Sequence, residues 1–218
     1  MASLKPTPLV LLVLIGLCSA IELCLTLADL GLFGALRLRQ AAYHYGGFWP
    51  GLLDNWQPNY ATQPYVMFIS YAFLHGGLAH LIVNMITLLS LGKVVIARVG
   101  TRGFGLLYLG AMLGGAAGYA LLAADVRPMV GASGALFGLI GGALAWLYVD
   151  RYTYNEGLRP VVQAVVLLIV LNLILWWAMD GQLAWQTHLG GFVSGWVAAM
   201  LIDPRPSPPD NAEDPQPN

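Results

Sequence analysis

The chain has 218 residues, 58% of them hydrophobic and only 10% charged, with a mean hydropathy of +0.68 and a net charge of −1. An ordinary soluble domain is about a quarter charged, so this balance makes lipid the main solvent, and nothing in it suggests a nucleic-acid surface. The two cysteines, Cys18 and Cys24, both fall in the first apolar stretch, and no C-x-x-C or H-E-x-x-H spacing occurs. No metal and no cofactor is therefore expected.

At the N-terminus, Lys5, an apolar run and Cys18-Ser19-Ala20 imitate a signal peptide. The run continues to Leu30, long enough for a hydrocarbon core of roughly 30 Å, which favours a membrane anchor. Apolar segments follow at 78–97, 104–123, 133–149, 161–179 and 187–202, six with the first. The fourth and sixth are short for a span of roughly 17 to 25 residues, as suits helices whose ends open onto a water-filled cavity. The connection 31–75 holds Tyr43, Tyr45, Phe48, Trp49, Trp56, Tyr60 and Tyr65 among glycines and prolines, so it is expected at the membrane interface. Residues 1–202 read as one membrane domain, and 203–218 as a disordered, acidic, proline-rich tail.

With six spans both termini share a side. That side carries Lys5, Lys93, Arg98, Arg102, Arg151, Arg159 and Arg205, against Arg37, Arg39 and Arg127 opposite. The positive-inside rule puts both termini in the cytoplasm. The starts of the second, fourth and sixth helices then face outward, and there the polar residues collect.

His75, His80 and His188 lie at or in apolar segments, where polar groups are costly and usually functional or buried against a polar partner. His80 and Asn84 are four apart and share a helix face. Ser133 heads the fourth segment in Gly131-Ala132-Ser133-Gly134. A chain this rich in glycine shows G-x-S-G by chance roughly one time in ten, and a lone serine there reads equally well as a helix cap. The shared depth of Ser133, His188, His80 and Asn84 is what raises the signal. Gly134, Gly138 and Gly142 line one face of the fourth helix; Gly191 and Gly195 line one face of the sixth, with His188. Small residues at this spacing let helix backbones approach in lipid, which would draw Ser133 and His188 together. Ordinary packing explains the spacing as well, since Gly110, Gly114 and Gly118 repeat it with no reactive residue nearby.

Three motifs carry a family resemblance. His75-Gly76-Gly77-Leu78-Ala79-His80, with Asn84 four residues on, resembles the rhomboid H-x-x-x-x-H-x-x-x-N pattern of the second helix. Gly131-Ala132-Ser133-Gly134-Ala135-Leu136-Phe137-Gly138 resembles the rhomboid nucleophile motif, and His188-Leu189-Gly190-Gly191-Phe192 its sixth-helix histidine motif. The resemblance implies an all-α bundle of six transmembrane helices with a long interfacial loop between the first and second. It implies an intramembrane serine endopeptidase, with a Ser133–His188 dyad as nucleophile and base. His80, Asn84 and the Ser133 backbone N–H would form the oxyanion hole, Phe137 would pack on the base, and His75 would be structural. Transmembrane protein substrates cut at or just inside the outer face, a lipid bilayer as surroundings and a bacterial inner membrane as location complete the expectation. Substrates would enter past the fifth helix, where Trp176 and Trp177 are candidate gate residues. No carboxylate is obviously placed to orient His188; Glu22 has no role beyond a buried hydrogen bond, and Asp180 lies in a loop. One departure stands out: the first loop reads Tyr65-Val66-Met67-Phe68 where many rhomboids carry a Trp-Arg pair.

Two other classes compete. A non-catalytic relative that binds membrane helices would usually have lost the serine or the histidine, and both are here. A transporter using His80, Asn84 and His188 as a polar relay would commonly show an internal repeat, and none is clear.

Overall fold

A computed structural model describes residues 7–32, 37–123 and 127–206. Its regular elements are helical: α1 (Leu9–Asp29), α2 (Leu38–Gly46), α3 (Gln63–Ser70), α4 (Leu78–Leu122), α5 (Ser133–Thr153), α6 (Arg159–Ala178) and α7 (Trp185–Ile202), with 3-10 turns at Pro50–Leu53 and Tyr71–Phe73. Pro64 and Pro160 sit in the first turns of α3 and α6, where a missing N–H needs no helical partner. Among the described residues, four helices, α1, α4, α5 and α6, are long and apolar enough to cross a membrane.

The 45-residue α4 joins the two segments expected at 78–97 and 104–123. Its one break is Gly100, at φ 70° and ψ 177°, a conformation open to glycine and strained for L side chains. Arg98 and Arg102 flank this kink, so the two expected segments are two helical arms with almost no loop between them. The fourth segment also differs from expectation. α5 is not short but runs 21 residues to Thr153, because its last turn is held by ions at the end remote from Ser133. Arg98 lies 3.5 Å from both Asp150 and Asp203 and 4.9 Å from the Trp146 ring centroid.

The connection 31–75 is tied down rather than merely laid on a surface. Phe48 and Tyr71 are fully buried, whereas Tyr65 and Trp56 are exposed, so Phe48 belongs to the core and not to an interfacial belt. Phe48 and Met129 exchange backbone hydrogen bonds of 2.9 Å in each direction, and the Tyr71 hydroxyl donates to the Met112 carbonyl at 2.7 Å. Lys5 and the tail from 207 onward lie outside the described residues, as do 33–36 and 124–126.

The core is a three-way contact of the second arm of α4 with α5 and α7, built on glycine. A methyl group on Gly191 would collide with the backbone of Gly134, and one on Gly195 with the backbone of Gly138. Gly114 meets Ser194, and Gly118 meets Gly190. The α4 glycines, which by spacing alone had no reactive neighbour, therefore seat the helix that carries His188. α6 stands apart, with Val161 its one buried residue.

If these backbone contacts fix the bundle, Gly195→Leu should lower thermal stability in detergent by roughly 1–3 kcal/mol through overpacking. Gly105→Leu, where an added Cβ meets nothing within 4 Å, should leave the melting temperature unchanged or raised. Equal losses at the two sites would sink the argument.

Candidate active site

The segment leading into α5 is clamped before the helix begins. Gly131 has φ +126°, its N–H donates to the Tyr71 carbonyl at 2.9 Å, and Met129 is paired with Phe48. A Cβ at Gly131 would lie 2.8 Å from His80 Cε1, so both the backbone angle and the neighbouring ring require glycine there. Ser133 is the first residue of α5; the N-cap is Ala132, with no side-chain capping bond. The hydroxyl is thus not spent on capping. Ser133 Oγ lies 2.9 Å from His188 Nε2.

His188 is the fourth residue of α7 and is buried. Phe137, one turn along α5 from Ser133, stacks on the imidazole at 4.1 Å between centroids and 5° between planes. The second ring nitrogen, Nδ1, is 2.6 Å from Asn172 Oδ1 on α6. Sequence reasoning missed Asn172. A signal existed: it is an amide within the apolar run of α6, in its second half and at the level of His188.

His80 and Asn84 lie on the first arm of α4. His80 Nδ1 accepts the Gly76 N–H at 3.2 Å, which leaves the proton on Nε2. A Cβ at Gly131 would stand 3.0 Å from that Nε2 and 3.8 Å from Ser133 Oγ, so ring and hydroxyl border one small space. Asn84 is buried and donates one amide N–H to the His80 carbonyl at 2.8 Å; the amide's other N–H is a further donor. As the first helical residue, Ser133 has a backbone N–H with no partner inside α5. His75 is fully buried, its ring edge-on to His80 at 5.3 Å between centroids.

Glu22 has a partner the sequence did not reveal. Its carboxylate is fully buried and accepts from Arg39 Nη2 at 2.8 Å and Nη1 at 2.9 Å, a bidentate pair. Arg39 also bonds Asp29 at 2.6 Å and the His75 carbonyl at 3.1 Å, and the Tyr43 hydroxyl donates to that carbonyl at 2.6 Å. Glu22 holds the Arg39 guanidinium above its usual pKa, burial opposing and Asp29 and Tyr43 assisting. The network fastens α2 and the turn before His80 to α1.

Beside the dyad, a cavity of about 530 Å³ opens between α6 and the α5–α7 pair. Leu168, Ile169, Leu173 and Phe192 make it apolar; His188 and Asn172 are polar groups of its lining, which also includes Trp176 and Trp185. Trp177, by contrast, is 78% exposed. Among the described residues, no three His, Cys, Asp or Glu side chains are grouped to hold a metal ion.

The Rhomboid domain family matches residues 62–205. The chain is 37% identical over 139 residues to RHOMBOID-like protein 4 of Arabidopsis thaliana, covering 63% of this chain and 34% of that one. It is 36% identical over 139 residues to RHOMBOID-like protein 5 of the same plant, covering 63% and 44%. To Rhomboid protease GluP of Bacillus subtilis (strain 168) it is 35% identical over 129 residues, covering 59% and 24%. The chain belongs to the rhomboid family, and its apolar helices make it an integral membrane protein. It spans less than half the length of the curated relatives it matches.

Arg39→Ala strands the Glu22 carboxylate inside the bundle, which should cost roughly 3–5 kcal/mol. The double variant Glu22→Gln/Arg39→Ala removes the stranded charge and should recover part of that loss. Thermal unfolding of the three proteins in detergent checks it; a single variant as stable as wild type contradicts the network's importance.

Proposed function

We propose that the chain is an intramembrane serine endopeptidase that cuts transmembrane proteins at or just inside the outer membrane face. The observation that carries the reading is the 2.9 Å approach of Ser133 Oγ to His188 Nε2, within hydrogen-bond reach for base activation of a serine. Family membership and the names of two relatives, Rhomboid protease GluP and Rhomboid-type serine protease 2 of Emericella nidulans, support the same class.

The chemistry runs as acyl transfer. His188 Nε2 takes the Ser133 proton as Oγ bonds to the scissile carbonyl carbon. The tetrahedral oxyanion accepts from His80 Nε2–H, the Asn84 amide and the Ser133 backbone N–H, each donor worth about 2.7–4 kcal/mol in comparable hydrolases. Collapse breaks the C–N bond, and His188 returns the proton to the departing amine. Water then opens the acyl ester, with His188 again as base. Phe137 keeps the imidazole flat against α5. Gly131, Gly134, Gly191 and Gly195 hold the two helices at contact distance, and His75 backs His80.

The same reading takes residues 1–202 as one domain of six crossings, counting α1, the two arms of α4, α5, α6 and α7. It keeps the chain in a bacterial inner membrane with both termini cytoplasmic. The basic residues at the end of the bundle remote from Ser133 support that orientation; the relative from Bacillus is bacterial, most of the others named are from a plant. Substrate helices reach Ser133 past α6, whose weak packing and bordering apolar cavity suit lateral passage.

Purified full-length protein in liposomes, given a generic single-span substrate, should cleave it. Ser133→Ala and His188→Ala should each lower the rate by at least about a thousandfold. A serine-directed fluorophosphonate should label wild type alone. Equal labelling of wild type and Ser133→Ala overturns the assignment, and retained helix binding without cleavage points instead to a non-catalytic relative.

A further inference from the structure

We infer that Asn172 on α6 is a positioning residue for His188, setting the tautomer and tilt of the imidazole as the third member of a Ser133–His188–Asn172 chain anchored on the Leu168 carbonyl. The inference rests on the peptidase reading and adds a residue that the three sequence motifs do not contain.

The argument begins with which way the amide points. Oxygen and nitrogen of an asparagine are told apart by their partners. Asn172 Nδ2 donates to the Leu168 carbonyl at 2.9 Å, one turn back along α6. That carbonyl can only accept, so the amide nitrogen faces it and Oδ1 faces His188 Nδ1 at 2.6 Å. An amide oxygen can only accept in its turn, and the proton of a neutral imidazole must then sit on Nδ1. Nε2 is left with its lone pair toward Ser133 Oγ at 2.9 Å. This is the tautomer that a general base for the serine requires.

The alternatives are poorer. No carboxylate makes this contact among the described residues; His80 of α4 borders the space beside Ser133 Oγ, and α5 presents Ser133 and Phe137. Phe137 restrains the imidazole through its face, which leaves rotation within the ring plane free. A hydrogen bond to Nδ1 removes that freedom. Asn172 also lines the apolar cavity, where water competes weakly and a lone amide is costly without partners.

The test uses full-length protein in lipid nanodiscs with wild type, Asn172→Leu and Asn172→Asp. Asn172→Leu should lower kcat roughly 10- to 100-fold, less than loss of the Asp of a Ser-His-Asp triad, with KM little changed and fluorophosphonate labelling slowed in parallel. Asn172→Asp should keep activity near wild type at high pH. Its carboxylate stabilises the imidazolium, so the acid limb of the kcat/KM profile should move up by about 1–3 pH units. In ¹⁵N-histidine spectra, His188 should be the Nδ1–H tautomer in wild type and lose that preference in Asn172→Leu. Wild-type turnover with unchanged kcat in Asn172→Leu, an unmoved acid limb in Asn172→Asp, or one tautomer in both proteins overturns the inference. A wild type that neither cleaves nor labels would instead count against the peptidase reading, while the spectra still decide the contact.

Discussion

Everything at this site depends on two helix backbones touching. In lipid, helices gain little by hiding leucine from a solvent that is itself hydrocarbon, so association relies on close packing and hydrogen bonds. α5 and α7 meet through Gly134, Gly138 and Gly141 on one side and Gly191, Phe192 and Gly195 on the other, with no room for a Cβ at the glycines. At such separation the serine that opens α5 and the imidazole one turn into α7 have to meet. The second arm of α4 completes the seat through Gly114, Gly115 and Gly118.

Around that contact, several polar side chains within the bundle are paired, although the His75 ring nitrogens and the Thr187 hydroxyl are buried without a hydrogen-bond partner among the described residues. Glu22 answers Arg39, Asn84 bonds its own helix, and Asn172 bonds both its helix and His188. Even outside the bundle, buried Gln63 donates to the His44 carbonyl at 2.7 Å. This follows from the cost of an unpaired polar group away from water. The apolar cavity beside α6 is where the packing relaxes, and His188 of the reactive pair lines it.

Much of the helical plan was legible from hydropathy. The segments read at 9–30, 161–179 and 187–202 differ from α1, α6 and α7 by two residues or fewer at each end. The separation read between 97 and 104 corresponds to the kink at Gly100, with helix resuming directly on either side of it. What misled was charge: Asp150 and Arg151 looked like an end, yet α5 continues past them. Charged residues end an apolar run without ending a helix when ion pairs receive them. For the site, depth and motif spacing sufficed to nominate Ser133, His188, His80 and Asn84. Arg39 and Asn172 were not legible, because each matters through one long-range partner, 17 residues away for Glu22 and 16 for His188. Linear patterns of hydrophobicity do not record such pairings.

The Phe48–Met129 pairing has a mechanical consequence. It splices the first loop to Met129, four residues ahead of the nucleophile, through a single antiparallel bridge. The Phe48 ring is wedged against Phe68, Tyr71 and Tyr119, so the splice has a stiff anchorage. A push on the exposed rim of the loop therefore arrives at the start of α5 as a rigid displacement, and substitutions remote from any reacting atom acquire leverage over the angle at which the serine is presented.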